Sequence, residues 1–170
     1  MIRVDVETVI MSAGPVPSLI VLRERDAAAP ASPLRSISIQ TGSFEAAGVS
    51  AGINQPRPAR PLTHDLFIDA VSALSSKIER LEITRVEAPM YYAELVLANP
   101  TAVENDQTEL RIDCRPSDGI ALASRVNAPI FVEEEVMNRM GTVVVQNKEN
   151  DESELEEFDK FVQTLSPDDF

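Results

Sequence analysis

The chain opens on strict alternation. Ile2, Val4 and Val6 fall on one side of an extended backbone and Arg3, Asp5 and Glu7 on the other, which predicts a strand with one buried face. After a turn over residues 13–17 a second strand is expected at Leu19–Arg25. The small, proline-containing stretch Asp26–Pro33 is expected to be a loop, and Leu34–Gln40 a third strand. These three are expected to form an antiparallel meander. Thr41-Gly42-Ser43 marks a helix start, with Glu45 in the first turn, where the helix dipole favours an acid. That helix is expected to run to about Ile53. Asn54–Leu62 holds Pro56, Pro58 and Pro61, which no helix or central strand tolerates, so a stiff loop carrying Arg57 and Arg60 follows.

From Thr63 the period turns helical. Leu66, Phe67, Ala70, Val71 and Leu74 make one apolar stripe, with Asp65, Asp69 and Ser72 expected to face away. Strands are predicted at Glu79–Glu87, Met90–Ala98 and Thr108–Cys114. In the last of these Leu110, Ile112 and Cys114 share one face, and Arg111 and Asp113 the other. Pro116 opens a well-buried helix to about Val126, Pro129–Val132 is a short strand, and Glu133–Met140 a short helix ended by Gly141. Beyond it, Gln146–Ser153 is a polar linker. Glu154–Leu165 is an amphipathic helix with Leu155, Phe158, Val162 and Leu165 on one side. The pattern gives an α+β fold, a mainly antiparallel sheet packed with helices plus a C-terminal amphipathic helix. Residues 1–145 form one domain and 146–170 an acidic linker and helix.

Composition changes the picture in three ways. The chain has no Trp and only 5% aromatic residues, so the core is aliphatic and few rings are available for stacking on bases. The net charge of −13 argues against a nucleic-acid partner, but the nine acids and two bases from Lys148 onward account for more than half of it. The body is only mildly acidic, and arginines or helix N-termini can still take a phosphodiester. The single Cys114, the acids in Met1–Ile10 and the lack of a long apolar run predict a cytoplasmic protein without a membrane segment.

Two segments repeat one arrangement of arginine, proline and a helix start bearing an aspartate: Arg60-Pro61-Leu62-Thr63-His64-Asp65 and Asp113-Cys114-Arg115-Pro116-Ser117-Asp118. A helix N-terminus attracts anions, and arginine grips a phosphate or carboxylate with two donors. A tight strand-to-helix turn is expected to bring Asp113 and Asp118 together as ligands for a hard cation such as magnesium or manganese. His64 and Asp65 alongside would complete the parts for metal-assisted phosphodiester hydrolysis. Each residue also has a structural account. Thr63 serves as an N-cap and Asp65 as a first-turn acid, and His64 as a cap or packing residue. Arg60 and Arg115 serve as ion-pair partners of Asp113 or Asp118, and Cys114 as a small buried hydrophobe.

The segments Arg60–Leu66 and Asp113–Ala123 closely resemble the two hallmark stretches of the bifunctional nuclease family. Phe44-Glu45-Ala46, Tyr92–Leu95, Ala128–Val132 and the ending Leu155–Phe170 are similar to it as well, so the resemblance covers most of the chain. It implies an α+β fold and, for some members, cleavage of both DNA and RNA. The family's recurrent polar positions fall here on Glu45, Arg60, Thr63, His64, Asp65, Asp113, Arg115, Ser117 and Asp118. Gly119, where alanine is usual, and the long loop Asp26–Pro33 depart from the pattern.

The expected assignment is therefore a nuclease with His64, Asp65, Asp113 and Asp118 catalytic. Arg60, Thr63, Arg115 and Ser117 would bind substrate, and Asp113, Asp118 and Glu45 a divalent cation, in a chain that forms a homodimer. The competing expectation is a non-catalytic binding or oligomerisation module whose polar clusters are structural ion pairs.

Overall fold

The computed structural model describes residues 1–12, 16–26, 32–54, 57–99, 101 and 108–143. The expected linker and helix over 146–170 lie outside the described residues. In chain order the elements are β1 (Ile2–Ile10), β2 (Ser18–Glu24), β3 (Arg35–Thr41), α1 (Ser43–Asn54), α2 (Thr63–Ala73), β4 (Ile78–Glu87), β5 (Met90–Ala98), β6 (Glu109–Cys114), α3 (Pro116–Val126), β7 (Ile130–Val132), α4 (Glu134–Met140) and β8 (Thr142–Val143). All eight strands share one sheet in the order β6-β5-β4-β7-β1-β2-β3-β8, antiparallel except where β7 runs parallel to β4. The fold is α+β, with β1–β2–β3 the meander the alternation predicts. None of the described helices is long and apolar enough to cross a membrane.

The sheet is coiled rather than flat. The Tyr91 hydroxyl on β5 donates to the Ser38 carbonyl on β3 at 3.4 Å, although β4, β7, β1 and β2 lie between these strands in the sheet. A flat sheet would hold them roughly 24 Å apart at its normal strand spacing. The concave side carries the aliphatic rows that alternation sends inward. Ile20 lies opposite Ile39, Leu22 opposite Ile37 and Leu81 opposite Leu95, all buried. Each such fully buried side chain contributes about 1.5–3 kcal/mol. Helices α1, α3 and α4 close this side, and α2 packs on α3.

The convex side of β4–β5–β6 bears charges. Glu82 is 4% exposed, and burial alone would push its carboxyl up. Donors from Arg111 (2.6 Å) and Arg80 (2.5 Å) outweigh that and hold it below the usual range. A second buried acid, Glu24, accepts from the Arg35 backbone and guanidinium, and Arg35 reaches Asn138 of α4. These are fold locks, since removing one partner of a buried pair leaves the other uncompensated.

Helix α2 departs from expectation. Leu66, Phe67 and Leu74 are exposed, at 60%, 38% and 75%, while Asp65 and Val71 are buried and Ile68 half-buried. The face 65-68-71 meets α3, not the more apolar stripe beside it. A polar contact, described below, sets this rotation.

Candidate functional site at three helix starts

The N-termini of α1, α2 and α3 come together around α3. Arg115, the N-cap residue of α3, is the hub. Its Nε donates to Asp118 Oδ2 at 2.7 Å, its Nη2 to Asp118 Oδ1 at 3.1 Å, and its Nη1 to Glu45 Oε1 of α1 at 3.0 Å. The carboxylate of Asp118 keeps the guanidinium charged, with Glu45 adding to the effect. His64 of α2 sets its Nε2 3.8 Å from Asp118 Oδ1. That is longer than a hydrogen bond and becomes a charge contact only when the imidazole is protonated. The imidazole lies over Gly48 of α1, where an added methyl would stand 3.0 Å from its Cε1. Burial lowers the His64 pKa and Arg125 lowers it further, against the pull of Asp118, which favours the neutral ring.

Asp65, next to His64, points the other way. Its Oδ2 accepts from the Leu62 backbone N–H at 2.9 Å and its Oδ1 from Arg125 Nε at 3.2 Å, with both side chains buried. The backbone donor leads in holding its carboxyl below the usual range, and Arg125 adds to it against burial. Arg125 also donates from Nη1 to the Gly48 and Ala121 carbonyls, both at 2.8 Å. It thus ties α1, α2 and α3 together, and this contact turns Asp65 inward against the hydrophobic pattern. The N-cap of α2 is Leu62, so Thr63 is its exposed first residue rather than the cap the sequence suggested.

A cleft of about 510 Å³ opens beside the hub. Its walls are the end of β3 (Ile39–Gly42), the β4–β5 turn (Pro89–Tyr92) and Asp113–Ser117, with Glu45 beside them. The structure thus brings together Glu45, His64, Arg115 and Asp118, and places Ser117, 7% exposed, and Asp113 on the same cleft. Arg60 is exposed and has no ion pair or hydrogen bond among the described residues. Cys114, half-buried, has a thiol pushed by burial up to about 11 and packs against Gly119, where a methyl would collide with Leu81.

The expected cation site does not take shape among the described residues. No three of their His, Cys, Asp and Glu side chains gather as a set able to hold a metal ion. A guanidinium stands between Glu45 and Asp118, neutralising both. Asp113 pairs across the sheet with Glu94, while Asp118 sits in the first turn of α3 bound to Arg115.

Sequence reasoning missed Arg125, which shows in the sequence only as a cation in a helix's last turn. It also missed the close helix crossing. The spacing Gly48-x-x-x-Gly52 was a readable sign of that crossing, since a methyl at Gly52 would lie 2.8 Å from Arg125 Nη1 and 3.2 Å from the Ala121 carbonyl.

Comparisons with known proteins bear on the family of the chain. An uncharacterized protein of Mycobacterium tuberculosis (strain H37Rv) is 32% identical over 142 residues, covering 80% of this chain and 81% of that one. A protein of Oryza sativa subsp. japonica called Bifunctional nuclease 1 is 27% identical over 96 residues, 56% of this chain and 28% of the rice protein. The model of the bifunctional nuclease domain matches residues 20–145, which hold all three helix starts and both Arg-Pro segments. This chain belongs to the bifunctional nuclease domain family.

Proposed function

We propose that the protein is a nuclease hydrolysing phosphodiester bonds of DNA or RNA. The observation that carries the reading is the run Glu45–Arg115–Asp118–His64 at the edge of a nucleotide-sized cleft, inside the matched domain. Neutral His64 takes a proton from the attacking water or hydroxyl. Asp118 steadies the imidazolium that forms. Arg115, 65% exposed with donors to spare, and Arg60, exposed and without an ion pair among the described residues, hold the phosphate and the charge that builds on it. Asp113 and Ser117 shape the approach, and Tyr91 and Tyr92 flank the space for a base. Asp65 keeps α2 in place and stands outside the chemistry. Magnesium or manganese would be held by one or two of the carboxylates Glu45, Asp113 and Asp118 together with the substrate phosphate, and the steps above are those of this chain's own residues. In this reading the working unit is a homodimer in the reducing cytoplasm, supported by the lone Cys114 and an open sheet edge.

The test is cleavage of labelled single- and double-stranded DNA and RNA, each with EDTA, magnesium or manganese. His64→Ala and Asp118→Ala are purified in parallel. Loss of cleavage in both supports the reading, whereas undiminished cleavage in both marks a contaminant and rejects the site. A second reading, a non-catalytic module, draws on the fact that Asp65 and Asp118 are already paired to guanidinium groups. It predicts no cleavage under any condition, with Arg115→Ala lowering only the melting temperature.

A further inference from the structure

Strand β6 ends the sheet, and among the described residues nothing pairs with its outer edge. Its concave face shows Leu110 and Ile112, each 41% exposed. Helix α2 runs alongside. It starts where His64 meets Asp118, just past the end of β6, and is followed by Ser76, whose hydroxyl donates to the Ala98 carbonyl at 2.6 Å. Ala98 is the residue opposite Glu109, the first of β6. Leu66, Phe67 and Leu74 of α2 are exposed as well. An edge this apolar is an unprotected pairing surface.

The charges of β6 select the occupant. If a second copy pairs antiparallel across a two-fold axis, residues opposite one another must share a face, so one residue sits on the axis. With Arg111 on the axis, Arg111 meets itself and Asp113 meets Glu109, all like charges. Centring on Asp113 opposes two aspartates. With Ile112 on the axis, Ile112 meets itself, Leu110 meets Cys114, and Arg111 of each copy meets Asp113 of the other. Within one chain Asp113 lies beside Glu94 with no ion pair of its own among the described residues, and Arg111 is bound by Glu82 and Glu94. Centring on Cys114 would offer Asp113 only Arg115, which lies outside β6 and is already held by Asp118 and Glu45. Of the registers that keep the pairing within β6, the Ile112-centred one alone supplies Asp113 with a cation, and opposite charges across strands stabilise pairing while like charges oppose it.

We infer that β6 pairs with β6 of a second copy about Ile112, joining two sheets into one and covering Leu110 and Ile112. The same register sets Glu109 of the second copy across from Arg115, so the interface adjoins the helix-start site.

Sedimentation velocity on the full chain reads the mass, and mild oxidation reads the register. The expected species is a dimer that Ile112→Lys and Asp113→Arg each convert to monomer with an unchanged circular dichroism spectrum. In a Cys114→Ser background, Ile112→Cys should cross-link two chains, and Leu110→Cys should not. A native chain that stays monomeric at the highest concentration reached overturns the inference. So does a dimer that survives both charged variants, or one that cross-links equally from either position.

Discussion

The starts of α2 and α3 are built from nearly the same residues and do different work. Asp65 and Asp118 both occupy the third position of their helices. In α2 the arginine precedes the proline two residues outside the helix cap, and the aspartate bends back to the cap's own N–H. In α3 the arginine is itself the cap residue, and its guanidinium takes the aspartate instead, out at the surface. A shift of two positions between arginine and helix start thus separates a buried fastening from a half-buried carboxylate paired to an exposed guanidinium. The lesson is that a shared motif fixes residue types, while the register of the cap decides which of them faces a ligand.

This contrast can be broken at several points. Asp65→Ala should have the largest effect on stability, about 3–5 kcal/mol, because it strands Arg125 as an unpaired buried cation. Thermal melting measures it, and a fall no larger than that of Asp118→Ala would erase the distinction. His64→Gln should leave melting nearly unchanged and lower cleavage by about 10²–10⁴-fold, the range for a lost general base. His64 is the chain's single histidine, so its NMR titration is unambiguous. Its folded pKa lies below the usual 6.5, and Asp118→Asn, which removes a carboxylate that raises it, should move it lower still. Since folding favours the neutral ring, this group's contribution to stability is fully present above pH 6.5 and is lost as pH falls through the folded value. An upward shift in Asp118→Asn would contradict the contact. The smallest effect belongs to Glu45→Ala, about 0.2–1 kcal/mol for a partly exposed pair. It frees one edge of Arg115, and phosphate protection in a melting assay should improve rather than weaken.

Local elements were legible because their signals are local. Pro116 at the first position opens α3 as the sequence predicts, and Asn127, in left-handed backbone at φ 54°, closes it after Val126. The order of strands was not legible, because β7 enters between β4 and β1 by contacts far apart in sequence. The site was half legible. Glu45, His64, Arg115 and Asp118 were named from the motifs and do meet. Asp65 was sent outward because hydrophobic periodicity counts any aspartate as solvent-facing and has no way to register a buried arginine sixty residues on. Asp113 and Asp118 flank the β6–α3 turn as the motif suggests, with Asp118 bound to Arg115 and Asp113 lining the cleft.

The most direct measurement sets Asp118→Asn against Asp65→Asn, each assayed for melting temperature and for cleavage of one labelled oligonucleotide. The account predicts a native melt with cleavage reduced at least about 10²-fold for Asp118→Asn. Asp65→Asn should show a lowered melt, with cleavage retained while the protein stays folded. Full cleavage by folded Asp118→Asn would contradict it.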